Sequence, residues 1–483
     1  MLWINGQAEK GQASPTEVID PATEEVIGLA TRGSVADVDR AILSANEAFP
    51  LWRRTPGPER TTFLHEVARR LREHLETIAV ELTLETGRTL RKNRGYVEWS
   101  AQCFDYYAEL ARHHRGRVVP SPEASQLSLV LKVPLGVVAC IVPWNYPLLL
   151  LAWKVAPALA AGNTVVIKPA SYTPWTTLGL ASIFDHFPPG VVNIVAGSGS
   201  DVGERLISHP NVAMIAFTGS TEVGQHIMRV SAEDVKRLNL ELGGKDPLIV
   251  CADADLEAAA RACAWAAFLN AGQVCTSVER VYVERAVADE FTERLVESTS
   301  ALTLGPGMEP KTEVTPMIRS EERAKVVDHV ESAGKAGAKI LTGGSIPSQF
   351  KKGFYFEPTV VGAIPPEQAI LVEETFGPVC PIVEVVNFDQ ALDLANRSTY
   401  GLGATLFTSD PRKVHRYIEE IEAGNVWVND PLIDNLAGPF GGFKRSGLGR
   451  ELGIEGFEAF TETKHVHWEM EGGIKPWWYP WED

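Results

Sequence analysis

Cys275 sits in Asn270-Ala271-Gly272-Gln273-Val274-Cys275-Thr276-Ser277, directly after an Ala-rich stretch. Glycine three residues before a thiol lets another group approach the backbone closely. A thiol is a strong nucleophile near neutral pH once some thiolate forms. Taken alone, the residue reads as well as a small buried hydrophobe. That is the reading for Cys103, Cys140, Cys251, Cys263 and Cys380. No CxxC pair or Cys/His cluster has zinc spacing, so no metal site is expected. The pattern suits a reducing compartment such as the cytoplasm.

Four further motifs shift the balance towards chemistry. Leu240-Glu241-Leu242-Gly243-Gly244-Lys245 puts a carboxylate before a double-glycine break. Glu241 is a candidate general base if burial raises its pKa, or a solvated acid at an element end. In Pro143-Trp144-Asn145-Tyr146-Pro147, the Asn145 amide could donate to a developing oxyanion or cap a helix. Lys168-Pro169-Ala170-Ser171 ends an apolar run, where ligands of open α/β sheets lie. Glu373-Glu374-Thr375-Phe376-Gly377-Pro378 adds a second carboxylate and an aromatic ring. Phe217-Thr218-Gly219-Ser220-Thr221-Glu222-Val223-Gly224 ends one apolar run and opens a helical one. Free N–H groups there could face a pyrophosphate, or Ser220 could simply cap the helix.

Alternating strands and helices must position these residues. Apolar runs predict strands at 126–133, 136–142, 165–167, 192–195 and 212–217, with helices at 148–161 and 175–187. The alternation resumes after Gly243. Strands are expected at 247–250, 278–283, 339–342 and 379–386, and helices at 256–269, 285–300 and 319–336. Residues 57–115 carry two or three amphipathic helices, and 461–469 alternates as a strand. This is an α/β pattern with parallel sheets covered by helices. At 483 residues the chain is too long for one core.

The charge balance of 45 basic against 62 acidic residues disfavours a nucleic-acid surface. Neither a leader at Met1–Gly6 nor a membrane span is expected, because Lys154 and Pro157 interrupt the most apolar run, 148–162.

Together the motifs resemble the aldehyde dehydrogenase superfamily, nearest in the pocket to betaine and amino-aldehyde dehydrogenases. The PWNYP, KPA, FTGSTEVG, LELGGK, GQVCTS, EETFGP, WVN and PFGGFKRSGLGRE segments occur in family order, from Ile19 to about residue 466. The resemblance implies two Rossmann-like parallel-sheet domains plus a small β bridging element. Residues 1–117 and 136–242 would bind NAD or NADP, and 243–440 would form the catalytic domain. Residues 118–135 and 459–483 would make a homodimer or homotetramer.

The resemblance also assigns roles. Cys275 attacks a small-molecule aldehyde, Asn145 holds the oxyanion, Glu241 activates water and Glu451 assists proton transfer. Lys168, Ser171, Ser220, Glu374 and Phe376 contact the cofactor; Trp144, Gly219, Gly224 and Leu242 complete its surface. Many NAD-preferring relatives carry Glu where this chain has Ser171, which implies that NADP is accepted. Trp99, Tyr146, Trp153, Leu269 and Phe440 would line the substrate tunnel, with Glu98 and Asp434 near its entrance. Two alternatives share the motifs. A CoA-acylating relative would lack the glutamate at 241, and a silent structural relative would lack the cysteine or that glutamate.

Overall fold

The computed structural model describes residues 1–113 and 116–480. Its larger sheet is built on runs with no polar face. Val137–Ile141 and Thr164–Lys168 are buried at every position, and Val212–Thr218 at all but one. Strands buried on both faces must be covered by helices on both sides, as in parallel sheets. Across the sheet the order is Gln7–Glu9, Leu2–Ile4, Val192–Ile194, Thr164–Lys168, Val137–Ile141, Val212–Thr218, Arg237–Glu241 and Gly447–Leu448. The five central strands run parallel. Leu2–Ile4 and Gly447–Leu448 are antiparallel additions.

The second sheet orders Lys339–Thr342, Thr359–Gly362, Val379–Val385, Val278–Glu284, Asp246–Val250, Gly403–Phe407 and Asn425–Val428. It is parallel except for its first strand. A third sheet pairs Gln126–Pro134 with Arg117–Val119 on one side and Thr461–Glu469 on the other, both antiparallel. The parallel α/β expectation therefore holds. Among the described residues no helix is long and apolar enough to cross a membrane.

Two details differ from expectation. The helix at 175–187 stops at Gly179 and continues as a 3₁₀ turn, Leu180–Ile183. A mid-helix glycine costs about 1 kcal/mol relative to alanine, and Pro188-Pro189 closes the segment. The region 57–113 agrees with its reading and holds three helices, Gly57–Glu73, Leu75–Thr86 and Leu90–His113. An N-terminal hairpin, Leu2–Ile4 with Gln7–Glu9, was absent from the pattern reading. Its signal is Asn5-Gly6, whose φ values of 52° and 74° suit a tight hairpin turn.

Candidate active site

Strand register gathers the first residues. Ile141 pairs with Lys168 and with Phe217, and Thr218 pairs with Glu241. The carboxyl ends of four neighbouring parallel strands therefore form one row, the usual ligand side of such a sheet. Trp144 and Asn145 follow the first of these strands, and Ser220 follows the third.

Cys275 reaches this row by an unusual turn. After the helix Leu256–Phe268, Asn270, Ala271 and Gly272 adopt left-handed φ values of 53°, 55° and 71°. A Cβ on Gly272 would lie 2.0 Å from the Gly377 carbonyl oxygen, so only glycine fits. Gln273 pins the loop: its Nε2 donates to Asn270 O at 2.9 Å, and its Oε1 accepts from Ile318 N at 2.8 Å. Asn145 Nδ2 donates to Gln273 O at 3.2 Å, which places the amide beside the cysteine loop. Behind it, Arg88 Nη1 donates to Asn145 O at 3.2 Å. Cys275 is partly exposed, whereas the other five cysteines are buried.

The carboxyl of Glu241 is buried; among the described residues neither oxygen meets a nitrogen or oxygen donor, and its hydrogen-bonding neighbour is the Cys275 thiol. Burial, and then the nearby Glu451, push its pKa up to about 8, while Lys154 pulls the other way. Burial also pushes the Cys275 thiol well above its usual range, and Glu241 adds to this. Thiol and carboxyl are close enough to hydrogen-bond.

Lys154 is a functional candidate that the pattern reading took only as a break in an apolar run. It is fully buried, donating to Glu451 Oε1 at 2.5 Å and Thr218 Oγ1 at 2.6 Å. The available signal was one charge in an otherwise apolar helix, Pro147–Ala161.

Glu279 was also missed. It stands in a wholly buried strand and accepts from Lys245 Nζ at 2.6 Å and from the N–H groups of Thr375 and Phe376, each at 2.7 Å. It thereby fixes the loop that carries Glu374. Glu374 Oε1 accepts from Gly244 N at 2.9 Å, and burial raises its pKa to about 7. Phe376 meets Trp144 edge-on at 5.4 Å between centroids.

The residues fit a dinucleotide. Ser220 caps the helix Thr221–Ser231 by accepting from Val223 N, leaving a helix start beside the row. Gly219 N donates to Glu241 O at 3.1 Å. A Cβ on Gly224 would lie 2.4 Å from the Leu242 side chain, so that helix packs closely on the strand end. Among the described residues Lys168 Nζ donates only to the neighbouring Pro169 O, at 3.1 Å, and burial lowers its pKa to about 8. Ser171 Oγ donates to Gly197 O at 3.2 Å.

Three of the residues expected to line a substrate tunnel form an aromatic wall. Trp99 meets Trp153 at 5.9 Å, and Trp153 meets Phe440 at 5.0 Å. Leu269 packs on the same core cluster as Cys275. One face of Tyr146 is covered by the Arg88 guanidinium at 3.9 Å. Glu98 is engaged elsewhere, paired with Arg72 at 3.0 Å. Asp434 has no hydrogen-bond or ion-pair partner among the described residues; it is close enough to raise the Cys275 pKa, and burial lifts its own to about 7.

A profile of the aldehyde dehydrogenase family matches residues 7–466. This chain belongs to that family. It is an NAD(P)-dependent aldehyde dehydrogenase. It is 40% identical to the betaine aldehyde dehydrogenase of Bacillus subtilis (strain 168), over 96% of each chain. It is 37% identical to an NADP-dependent succinate-semialdehyde dehydrogenase of Escherichia coli (strain K12), again over 96% of each. The crystal structure of Staphylococcus aureus betaine aldehyde dehydrogenase with NAD+ superposes with a TM-score of 0.96 at 36% identity, covering 99% of this chain and 96% of the other.

Proposed function

We propose that this aldehyde dehydrogenase oxidises an aldehyde to its carboxylic acid through covalent attachment to Cys275. The observation that carries this reading is the Glu241 carboxyl, without another partner, facing the only partly exposed cysteine. Cys275 Sγ loses its proton to solvent water and bonds to the carbonyl carbon, and the hydride that later leaves this carbon turns the Cys275 adduct into a thioester. The carbonyl oxygen takes the negative charge, with the Asn145 amide and the Cys275 N–H as its donors. The bound nicotinamide supplies the positive charge that favours the Cys275 thiolate and the ring carbon that takes the hydride. Glu241 then accepts a proton from the water that attacks the thioester, and the Cys275 thiolate leaves. Lys154 and Glu451 tune the charge felt by Glu241.

Lys168 and Ser171 flank the adenosine ribose in this reading, and Glu374 holds the nicotinamide ribose. The larger sheet serves cofactor binding, the second sheet carries the nucleophile, and the third joins copies into a dimer or tetramer. Six free cysteines suit a cytoplasmic location.

For the substrate, uncharged aliphatic or aromatic aldehydes rank first. The aromatic wall supports this, and Arg88 already occupies one face of Tyr146, which weakens any cage for an alkylammonium group. Amino-aldehydes rank close behind because of Asp434. A panel of aldehydes, followed by absorbance of the reduced cofactor with both NAD and NADP, tests the whole reading. Absence of turnover with every aldehyde, or turnover only with CoA, would overturn it.

A further inference from the structure

Glu279 lies four residues after Cys275, in the strand Val278–Glu284, and its side chain is all but sealed from solvent. A charge in such a place is costly unless it is fully partnered. Three donors meet it. Oε2 accepts from Lys245 Nζ at 2.6 Å and from Thr375 N at 2.7 Å, and Oε1 accepts from Phe376 N at 2.7 Å. Among the described residues Glu279 is the one acceptor of both N–H groups. Phe376 holds a left-handed φ of 54°, which a bulky side chain rarely adopts. Successive N–H groups turned in this way form a concave nest for an anion, and here the anion is a carboxylate of the protein itself. The Glu279 carboxylate therefore holds a backbone turn that would otherwise relax.

The same turn touches both halves of the reaction. On one side the Gly377 carbonyl oxygen lies against the cysteine loop, where a Cβ on Gly272 would come within 2.0 Å of it. On the other, Glu374 Oε1 accepts from Gly244 N at 2.9 Å, and Phe376 packs on Trp144 at 5.4 Å between centroids. Lys245, next to Gly244, closes the circuit. Its Nζ donates to Thr375 Oγ1 at 3.1 Å, and that hydroxyl stands 3.2 Å from His329 Nδ1. We propose that Glu279 is a positioning residue for hydride transfer: by clamping the turn 374–377 it sets the distance between the nicotinamide ribose and the carbon bonded to Cys275. This role rests on the reading that Glu374 holds that ribose. Glu279 touches neither cofactor nor aldehyde, and acts through Glu374 and Phe376.

The test is a single turnover of Glu279→Gln at saturating cofactor, with enzyme in excess over aldehyde and reduced cofactor followed by stopped-flow absorbance. Its rate should fall about 10–10²-fold, the scale of a small misplacement between reacting groups. The slowed step should show a primary isotope effect with aldehyde deuterated at the carbonyl carbon. An activated phenyl ester acylates Cys275 without hydride transfer. Its hydrolysis in the absence of cofactor should match that of the unaltered protein, which also reports that the variant folds. A parallel fall in ester hydrolysis makes the role merely structural and overturns the proposal. So does an unchanged single-turnover rate, or a slowed one without the isotope effect. Lys245→Met combined with Glu279→Gln strands no buried charge, and decides the matter by the same readings if the single variant does not fold. Glu374→Gln separates the proposal from the ribose reading. If it leaves the rate unchanged while Glu279→Gln slows it, the ribose assignment falls and the Glu279 role stands, exercised through Phe376.

Discussion

Lys154 and Glu451 form an ion pair 2.5 Å long that is sealed from solvent and within electrostatic reach of Glu241. Its two charges act on Glu241 with opposite sign, which gives a paired prediction. Glu451→Gln removes a negative neighbour, so Glu241 ionises more easily and the rise of turnover with pH moves to lower pH. Lys154→Met leaves the Glu451 charge unbalanced, so that rise moves to higher pH. Lys154→Met also strands a buried carboxylate and should cost about 3–5 kcal/mol in denaturant unfolding. Glu451→Gln should cost less, because Gln still offers Lys154 an oxygen. If both variants move the pH profile in the same direction, the charge account is wrong.

Glu241 must be ionised to take a proton from water, and its pKa lies at about 8. Thioester hydrolysis should therefore climb nearly tenfold per pH unit below about 7.5 and level off above about 8.5. Glu241→Gln should lose this limb and slow turnover by about 10²–10⁴-fold. It should still release one equivalent of reduced cofactor in a burst and then carry an acyl group on Cys275, visible by mass spectrometry. Cys275→Ala should show neither burst nor adduct. A Glu241→Gln enzyme with full turnover at pH 7 would remove Glu241 from the hydrolytic step.

The parts legible in the sequence are those written in local pattern. Solid apolar runs such as Val137–Ile141 can only be strands buried on both faces, and the Gly-rich loops mark where backbone must bend or pack closely. The illegible parts depend on partners far away along the chain. Lys154 finds Glu451 across 297 residues, and Glu279 finds Thr375 across 96. Periodicity carries no information about such pairs. The break at Gly179 was misread for the opposite reason. Its neighbours favour helix locally, and the interruption shows only once the following 3₁₀ turn is seen to pack Leu180 and Ile183 into the core.

Asn145 should contribute to rate more than to stability. Its side chain makes two ordinary hydrogen bonds, donating to Gln273 O at 3.2 Å and accepting from Tyr146 N at 3.1 Å. Each is worth about 1 kcal/mol net. As an oxyanion donor it is worth about 10²–10³ in kcat. Asn145→Ala should therefore lower kcat by that factor with a small change in unfolding midpoint. A change of less than tenfold in kcat would assign the oxyanion to other donors.

Asp434 should make the substrate preference pH-dependent. Its pKa of about 7 means the carboxylate charge appears as pH rises through neutrality. The ratio of kcat/KM for an amino-aldehyde to that for an uncharged aldehyde of equal length should rise through the same range. Asp434→Asn should flatten the rise and lower the ratio severalfold above pH 7, the scale of a partly screened charge pair. An unchanged ratio in the variant would place Asp434 outside the tunnel's recognition surface.

The C-terminal aromatic tail should matter to assembly. Lys475 ties its start to the third sheet, with Nζ 2.7 Å from Glu469 and 3.3 Å from Glu123. Beyond this tie, Trp477, Trp478 and Tyr479 expose more than half of their surfaces, and Trp481 lies outside the described residues. Trp468, on the neighbouring edge strand, is exposed as well. This exposed aromatic surface is the basis for expecting a contact with another chain. A chain truncated after Gly473 keeps the strand Thr461–Glu469 and so retains the sheet, but loses the aromatic contact. It should sediment as a smaller species at micromolar concentration, or unfold at a lower temperature with a steeper dependence on protein concentration. Unchanged assembly, stability and substrate range in the truncated chain would leave the tail with no part in subunit contact.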